Sequence, residues 1–272
     1  MFTILVGSGK GGVGKSTTAV NLALSLFLEG ARVGILDGDI YGPSIPSMLG
    51  ISGKPESPDG KTILPMKGHG LQANSIGFLI PKNEAMVWRG PMVTQALEQL
   101  LRQTAWDDLD YLFIDLPPGT GDIHLSIMQS LPITGAVVVS TPQNVALADA
   151  KKGVAMFQQQ SINVPVLGIV ENMAYFIPKE LPDNKYYIFG QEGAKNLAFD
   201  LGIPMLGEIP IVQSIREAGD FGRPAALQQK TLIEETFKLL TQEIVKQIIE
   251  RNKTLPPSEV IKITTMAGCS AV

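Results

Sequence analysis

A single cysteine, Cys269, in 272 residues excludes an intrachain disulfide and any metal site built from several cysteines of one chain. A reducing cytosol is the simplest compartment for such a sequence. Basic charge is not in surplus either. With 22 Lys and Arg against 26 Asp and Glu, the formal net charge is −4, so the composition carries no electrostatic footprint for nucleic acid or an anionic membrane. No apolar run approaches the length of a membrane-spanning helix, and Phe2 to Val6 gives way too soon to a glycine loop to be a signal peptide. No internal repeat stands out. What is present is an ordinary globular composition, 44% hydrophobic and 18% charged, long enough for one large α/β domain or two small ones.

The dominant stretch is Val6-Gly7-Ser8-Gly9-Lys10-Gly11-Gly12-Val13-Gly14-Lys15-Ser16-Thr17. An apolar strand pattern precedes it and a helical pattern, Ala19 to Glu29, follows, which is the context a P-loop requires. Glycines let backbone amides converge on phosphates, and the helix start adds partial positive charge. Gly9, Gly11, Gly12, Val13, Gly14 and Thr17 are candidate phosphate-cradle residues. Lys15 is the candidate phosphate-neutralising cation, and the Ser16 hydroxyl a candidate Mg²⁺ ligand. Lys10 is a second lysine inside the same glycine run. It stands too near the mouth of its own cradle to duplicate Lys15, which points it at a nucleotide held by another subunit.

Further along, Arg32 to Leu36 reads as a strand ending at Asp37, and the loop Gly38 to Ser44 follows at the strand's carboxyl end, where ligands sit in open α/β sheets. Asp37 reads as a structural carboxylate. Asp39 is placed toward the γ-phosphate and among the candidate metal ligands. Residues 51–70 read as an excursion, Leu71 to Ile76 as a strand and Met92 to Gln103 as a helix. The preceding Trp88-Arg89 is either a packing corner or a subunit contact. Tyr111 to Asp115 is a buried strand whose final carboxylate fits a Walker B aspartate for Mg²⁺. Gly119, in the candidate switch Pro117 to Asp122, offers a backbone amide to the γ-phosphate. His124, with no second His or Cys nearby, reads as structural. Gly135 to Ser140 and Val166 to Asn172 are further strands, the first followed by a helix over Leu147 to Gln160. Asn172 presents a donor and an acceptor suited to an adenine edge. Ala174 to Phe189 reads as an aromatic-rich loop and Gln191 to Leu201 as helix. Pro210 closes a strand from Met205 and joins the candidate nucleotide-binding set. Thr231 to Lys253 is an amphipathic helix, apolar at Ile233, Phe237, Leu240, Ile244 and Ile248. Its polar face mixes charges of both signs, which favours packing on the domain over a membrane surface. The pattern predicts one P-loop ATPase domain over residues 1–253 and a frayed tail over 254–272. The expected fold class is α/β, with a mostly parallel twisted sheet flanked by helices on both faces.

The strings Gly9 to Ser16, Asp37 to Ser44, Trp88 to Met92, Asp115 to Asp122, Ser140-Thr141-Pro142-Gln143 and Glu171-Asn172-Met173 together resemble the Mrp/ApbC family of iron-sulfur cluster carrier P-loop ATPases. That family is related to MinD and nitrogenase iron protein. The resemblance runs from about Thr3 to Pro224, roughly four-fifths of the chain. It implies an ATP- and Mg²⁺-dependent homodimer with nucleotides at the interface, serving iron-sulfur client or assembly proteins in the cytoplasm. Lys10 then corresponds to the lysine acting across that interface, and Asp39 to the residue orienting the attacking water. A cluster-free nucleotide-gated scaffold or regulator and a MinD-like positioning ATPase are the other readings.

The chain departs from the family at one point. Shortly after Glu-Asn-Met the family carries a Cys-x-x-Cys pair that holds an iron-sulfur cluster between subunits. Here the segment reads Ala174-Tyr175-Phe176-Ile177-Pro178-Lys179-Glu180-Leu181. A dimer of this chain offers two thiolates where a four-cysteine cluster needs four. Anaerobic reconstitution with iron and sulfide is therefore expected to give only substoichiometric chromophore, equally present in Cys269→Ser. A stoichiometric chromophore that survives desalting in the parent protein and vanishes in that variant would contradict this.

Overall fold

The computed structural model describes residues 1–79, 90–178 and 180–261. The Trp88-Arg89 and Cys269 readings lie outside them. Strands and helices alternate: β1 (Phe2–Gly7), α1 (Lys15–Leu28), β2 (Val33–Asp37), α2 (Ile45–Met48), β3 (Met66–Gly68), β4 (Leu71–Ser75), α3 (Gly90–Gln103), β5 (Tyr111–Asp115), α4 (Asp122–Ser130), β6 (Gly135–Ser140), α5 (Asn144–Gln158), β7 (Val166–Phe176), α6 (Gly193–Leu201), β8 (Met205–Ile211), α7 (Gln213–Asp220) and α8 (Leu232–Thr254). The strands form a sheet of order β3-β4-β2-β5-β1-β6-β7-β8. Every neighbouring pair is parallel except β3 and β4. This is the expected α/β architecture. A parallel sheet needs cover on both faces, which explains why the central strands are apolar throughout rather than alternating.

Successive side chains still leave opposite faces of each strand, dividing the interior into two layers. Ile4, Val6, Phe113, Val137 and Val139 face one core, packed with Val20 and Leu24 of α1 and Phe237, Ile244 and Ile248 of α8. Leu5, Leu112, Ile114, Ala136 and Val138 face the other, against α3, α4, α5 and α6. The apolar stripe read on the last helix is buried at Ile233, Phe237, Leu240, Ile244 and Ile248. Its first turn is capped by Thr231, whose hydroxyl accepts from the Glu234 amide.

Several elements differ from the sequence expectation. β7 continues through Phe176, although a loop was expected from Ala174. The strand turns at Met173, φ 57°, shifts its register on β8, and then exchanges two backbone hydrogen bonds between Phe176 and Tyr186. Lys185 lies over the Tyr175 ring, 4.1 Å from its centre. The non-local partner, not local alternation, extends the strand. The excursion over 51–70 contains β3, short and antiparallel at the sheet edge. α2, α4 and α7 had no expectation of their own, and α2 and α7 are short. Residues 255–261, which follow α8, are mostly exposed but not simply frayed: the Ser258 hydroxyl donates to Thr134 Oγ1 at 3.4 Å, and Ile261 packs on the second core.

Phe237 is fully buried between α8 and the sheet. Phe237→Ala is expected to lower unfolding free energy by about 3–5 kcal/mol, measurable from the midpoint of a urea titration.

Candidate functional site

Three strands deliver the site. In the β1–β5 register Val6 stands beside Asp115, and in the β2–β5 register Asp37 stands beside Asp115. Two carboxylates therefore end adjacent strands just below the loop that leaves β1. Both are fully buried.

The charge facing them comes from the first residue of α1. Lys15 Nζ lies 2.6 Å from Asp115 Oδ1 and 3.1 Å from Ser16 Oγ, with the Lys15 side chain only 7% exposed. Asp115 Oδ2 is buried without a hydrogen-bond partner. Burial pushes the Asp115 carboxyl above the ordinary carboxylate range, against the pull of Lys15. Asp37 is pushed up to about 7, first by burial and then by the charge of Asp115. Its oxygens nevertheless accept the amides of Asp39, Ser44 and Ile45 and the Ser75 hydroxyl. These contacts make it the anchor of the 38–45 loop, the structural role read from the sequence. Asp39 is half-buried, accepts the Gly42 amide, and looks into the glycine-loop cavity.

That cavity, about 270 Å³, is lined by Lys10, Gly11, Gly12, Gly14, Lys15, Ser16, Thr17 and Asp39, together with Ser8, Ser44, Met48 and Pro118. Lys10 and Lys15 thus line one space. A second cavity, about 540 Å³, is lined by Asn172, Met173, Pro210, Ile211 and Val212 and reaches α7. Gly14, Thr17, Ser44 and Met48 line both. Asn172 lies within β7 just before its turn at Met173, and Pro210 near the end of β8, two strands paired side by side in the sheet.

Two glycines are dictated by neighbours. A Cβ on Gly9 would overlap the Asp149 carbonyl of α5. One on Gly14, which has φ +83°, would overlap the Asn172 amide nitrogen. That nitrogen donates to the Val13 carbonyl at 2.8 Å, a contact that spacing along the chain gave no means of seeing. Val13 itself is buried. Gly9 and Gly119 are not brought to the glycine-loop cavity. The Gly119 amide donates instead to the Ser8 carbonyl at 3.1 Å, holding the Pro117–Gly121 loop against the base of the P-loop. His124 is buried and bonded to carbonyl oxygens, with burial holding its imidazole below the usual range.

The sequence pattern of the ParA group's NUBPL iron-transfer P-loop NTPases matches residues 2–249. The chain belongs to this family. It is 51% identical over 255 residues to the iron-sulfur cluster carrier protein of Escherichia coli strain K12, covering 93% of this chain and 68% of that one. The iron-sulfur cluster transfer protein NUBPL of Mus musculus is 49% identical over 256 residues, with 93% and 78% covered. Among solved structures, the nucleotide-binding protein of Archaeoglobus fulgidus in complex with ADP is 41% identical, with TM-score 0.71 and coverage of 82% and 86%. The septum site-determining protein MinD of Pyrococcus horikoshii OT3, complexed with Mg-ADP, is 22% identical. Its TM-score is 0.67 and coverage 92% and 98%, a likeness of fold. The family and the MinD-like fold agree with the resemblance read from the motifs. No helix among the described residues is long and apolar enough to cross a membrane.

For this member of the family the left-handed Gly14 gives a direct test. Gly14→Ala meets both a φ strain of about 1–2 kcal/mol and the Asn172 amide. Its nucleotide affinity is expected to fall at least about tenfold by calorimetry, with a lowered unfolding midpoint.

Proposed function

We propose that this chain binds and hydrolyses ATP with Mg²⁺, as a homodimer with nucleotide at the shared face, in the service of iron-sulfur protein maturation in the cytoplasm. The observation that carries the reading is the glycine-loop cavity, whose two lysines and Asp39 lie beside a second cavity sized for a nucleoside. The family's named relatives support the iron-sulfur side. The whole activity sits within residues 1–253.

The donor set fits Mg²⁺. Asp115 Oδ2 is buried without a partner, Ser16 Oγ lies beside it, and Asp39 completes a group of hard oxygens. Among the described residues no three His, Cys, Asp or Glu side chains form a closed cage. Mg²⁺ takes one or two carboxylates together with substrate phosphates, so no cage is needed. When bound there by Ser16, Asp39 and Asp115, it would supply positive charge that offsets the charge of the phosphates.

The protein's own residues do the rest. The backbone amides of Gly11 to Thr17, at the start of α1, receive the phosphates. Lys15 exchanges its contact with Asp115 for a phosphate oxygen, and this releases the carboxylate. Asp39, at the mouth of the cavity, orients the attacking water. Lys10 reaches the partner's nucleotide, where its charge is felt most as negative charge develops on the transferred group. The Gly119 amide leaves Ser8 for the terminal phosphate, so the Pro117–Gly121 loop responds to hydrolysis. Asn172 and Pro210 bound the base. The iron-sulfur cluster is cargo in this scheme. With Cys269 as the sole cysteine, thiolates for it come from client or assembly partners, which makes the chain a nucleotide-gated member of the delivery route.

Lys15→Ala is expected to abolish ATP binding, whereas Lys10→Ala keeps binding and loses hydrolysis. Equal loss of binding in both, measured by calorimetry beside phosphate release, would contradict the division between them.

A further inference from the structure

The Pro117–Gly121 loop begins with two consecutive prolines. Neither has an N–H, so the start of the loop cannot donate a backbone hydrogen bond that would tie it down. Its flanking anchors are Leu116 N–H on the Val6 carbonyl at 3.0 Å and Gly119 N–H on the Ser8 carbonyl at 3.1 Å. The remaining anchor comes from outside the loop. His124, in the first turn of α4, is 2% exposed. Its Nε2 lies 3.1 Å from the Pro117 carbonyl oxygen and its Nδ1 lies 3.2 Å from that of Gly121. The same ring borders a cavity of about 460 Å³ shared with Asp39, Tyr41 and Pro118.

We propose that His124 is a positioning residue for hydrolysis, holding the Pro117–Gly121 loop through a hydrogen bond from Nε2–H to the Pro117 carbonyl. This rests on the ATPase reading above.

The two ring contacts are not equivalent. Burial keeps the imidazole neutral near pH 7, so it carries one N–H for two carbonyl oxygens. Gly121 precedes α4, is exposed, and its carbonyl already accepts the His124 backbone amide at 3.0 Å. Pro117 is buried, and among the described residues the His124 ring is the donor its carbonyl meets. A proton on Nδ1 would leave the Pro117 oxygen buried and unpaired, a loss that a proton on Nε2 avoids. The ring therefore ties the buried end of the loop to α4, while the exposed end is held by the helix backbone. Between those ends lies Gly119, whose amide has to move from Ser8 to the nucleotide. With the Pro117 end fixed, that movement is a rotation about a defined pivot. Without it, the loop's amides and the Asp39 side of the cavity lose their common frame.

Three variants separate this role from simple packing. The amide nitrogen of Gln reaches the position of Nε2, and that of Asn the position of Nδ1. In nucleotide-free protein, His124→Ala and His124→Asn are expected to speed hydrogen exchange at the Gly119 and Thr120 amides, and His124→Gln to restore protection. In turnover, Ala and Asn are expected to lower kcat about 10- to 100-fold, with nucleotide affinity changed less than about twofold. Gln is expected to recover most of the rate. The proposal is wrong if Ala leaves exchange and kcat unchanged, if Asn restores as well as Gln, or if kcat falls only in step with affinity. Should the Ala variant unfold, the Gln and Asn pair decides. If the parent protein proves not to hydrolyse ATP, the ATPase reading fails, and the exchange comparison alone decides whether the tether exists.

Discussion

Everything at the strand ends is arranged around one buried cation. Lys15 is almost inaccessible, and the carboxylate it touches is wholly so. Taking either charge out of water alone carries a penalty of several kcal/mol, and breaking such a pair by removing one partner typically costs about 3–5 kcal/mol. The pair therefore holds α1 against β5 at the floor of the glycine-loop cavity. Asp37, one strand over, adds a second buried carboxylate, kept in place by four hydrogen-bond donors drawn from its own loop and from β4. Two carboxylates near one ammonium leave a local excess of acid. Burial raises both groups, with the charge of Asp115 adding to the rise of Asp37 and that of Asp39 to the rise of Asp115.

The glycine loop is shaped by what surrounds it as much as by its own flexibility. Gly9 lies against the backbone of α5, and Gly14 against the side chain of Asn172 in β7. The Asn172 amide then grips the Val13 carbonyl. The glycine loop is thus tied to the strand that also borders the larger cavity. The loop after β5 is tied to the P-loop in the same manner, through Ser8 and Gly119. A nucleotide that reorganises these few contacts moves segments far apart in sequence without disturbing the two cores beneath them.

The chain has a single cysteine, Cys269, and belongs to an iron-transfer family. Where thiolates are scarce, the nucleotide machinery is the part of the chain that the residues specify most fully. The segment after Asn172 is built instead from a strand extension, a stacked lysine and exposed tyrosines, with Tyr186 and Tyr187 both partly open to solvent.

The alternation of strands and helices, the glycine loop, the strand-end carboxylates and the buried face of the last helix are all legible in the order of residues along the chain. Each is a local signal: an apolar run closed by Asp115, glycines at set intervals before Lys15, or apolar residues spaced along one helical face. Tertiary structure alone decided the rest. The strand order places Asp37 beside Asp115, and the fold brings Asn172 onto Val13 and Asp149 onto Gly9. It extends β7 to Phe176 through pairing with Tyr186, and gives the buried Pro117 carbonyl a partner in His124. Those contacts join residues whose spacing along the chain follows no period. Local patterns encode which surfaces are apolar and where the backbone can bend, whereas hydrogen bonds between distant segments are set only when the packed sheet brings their ends together.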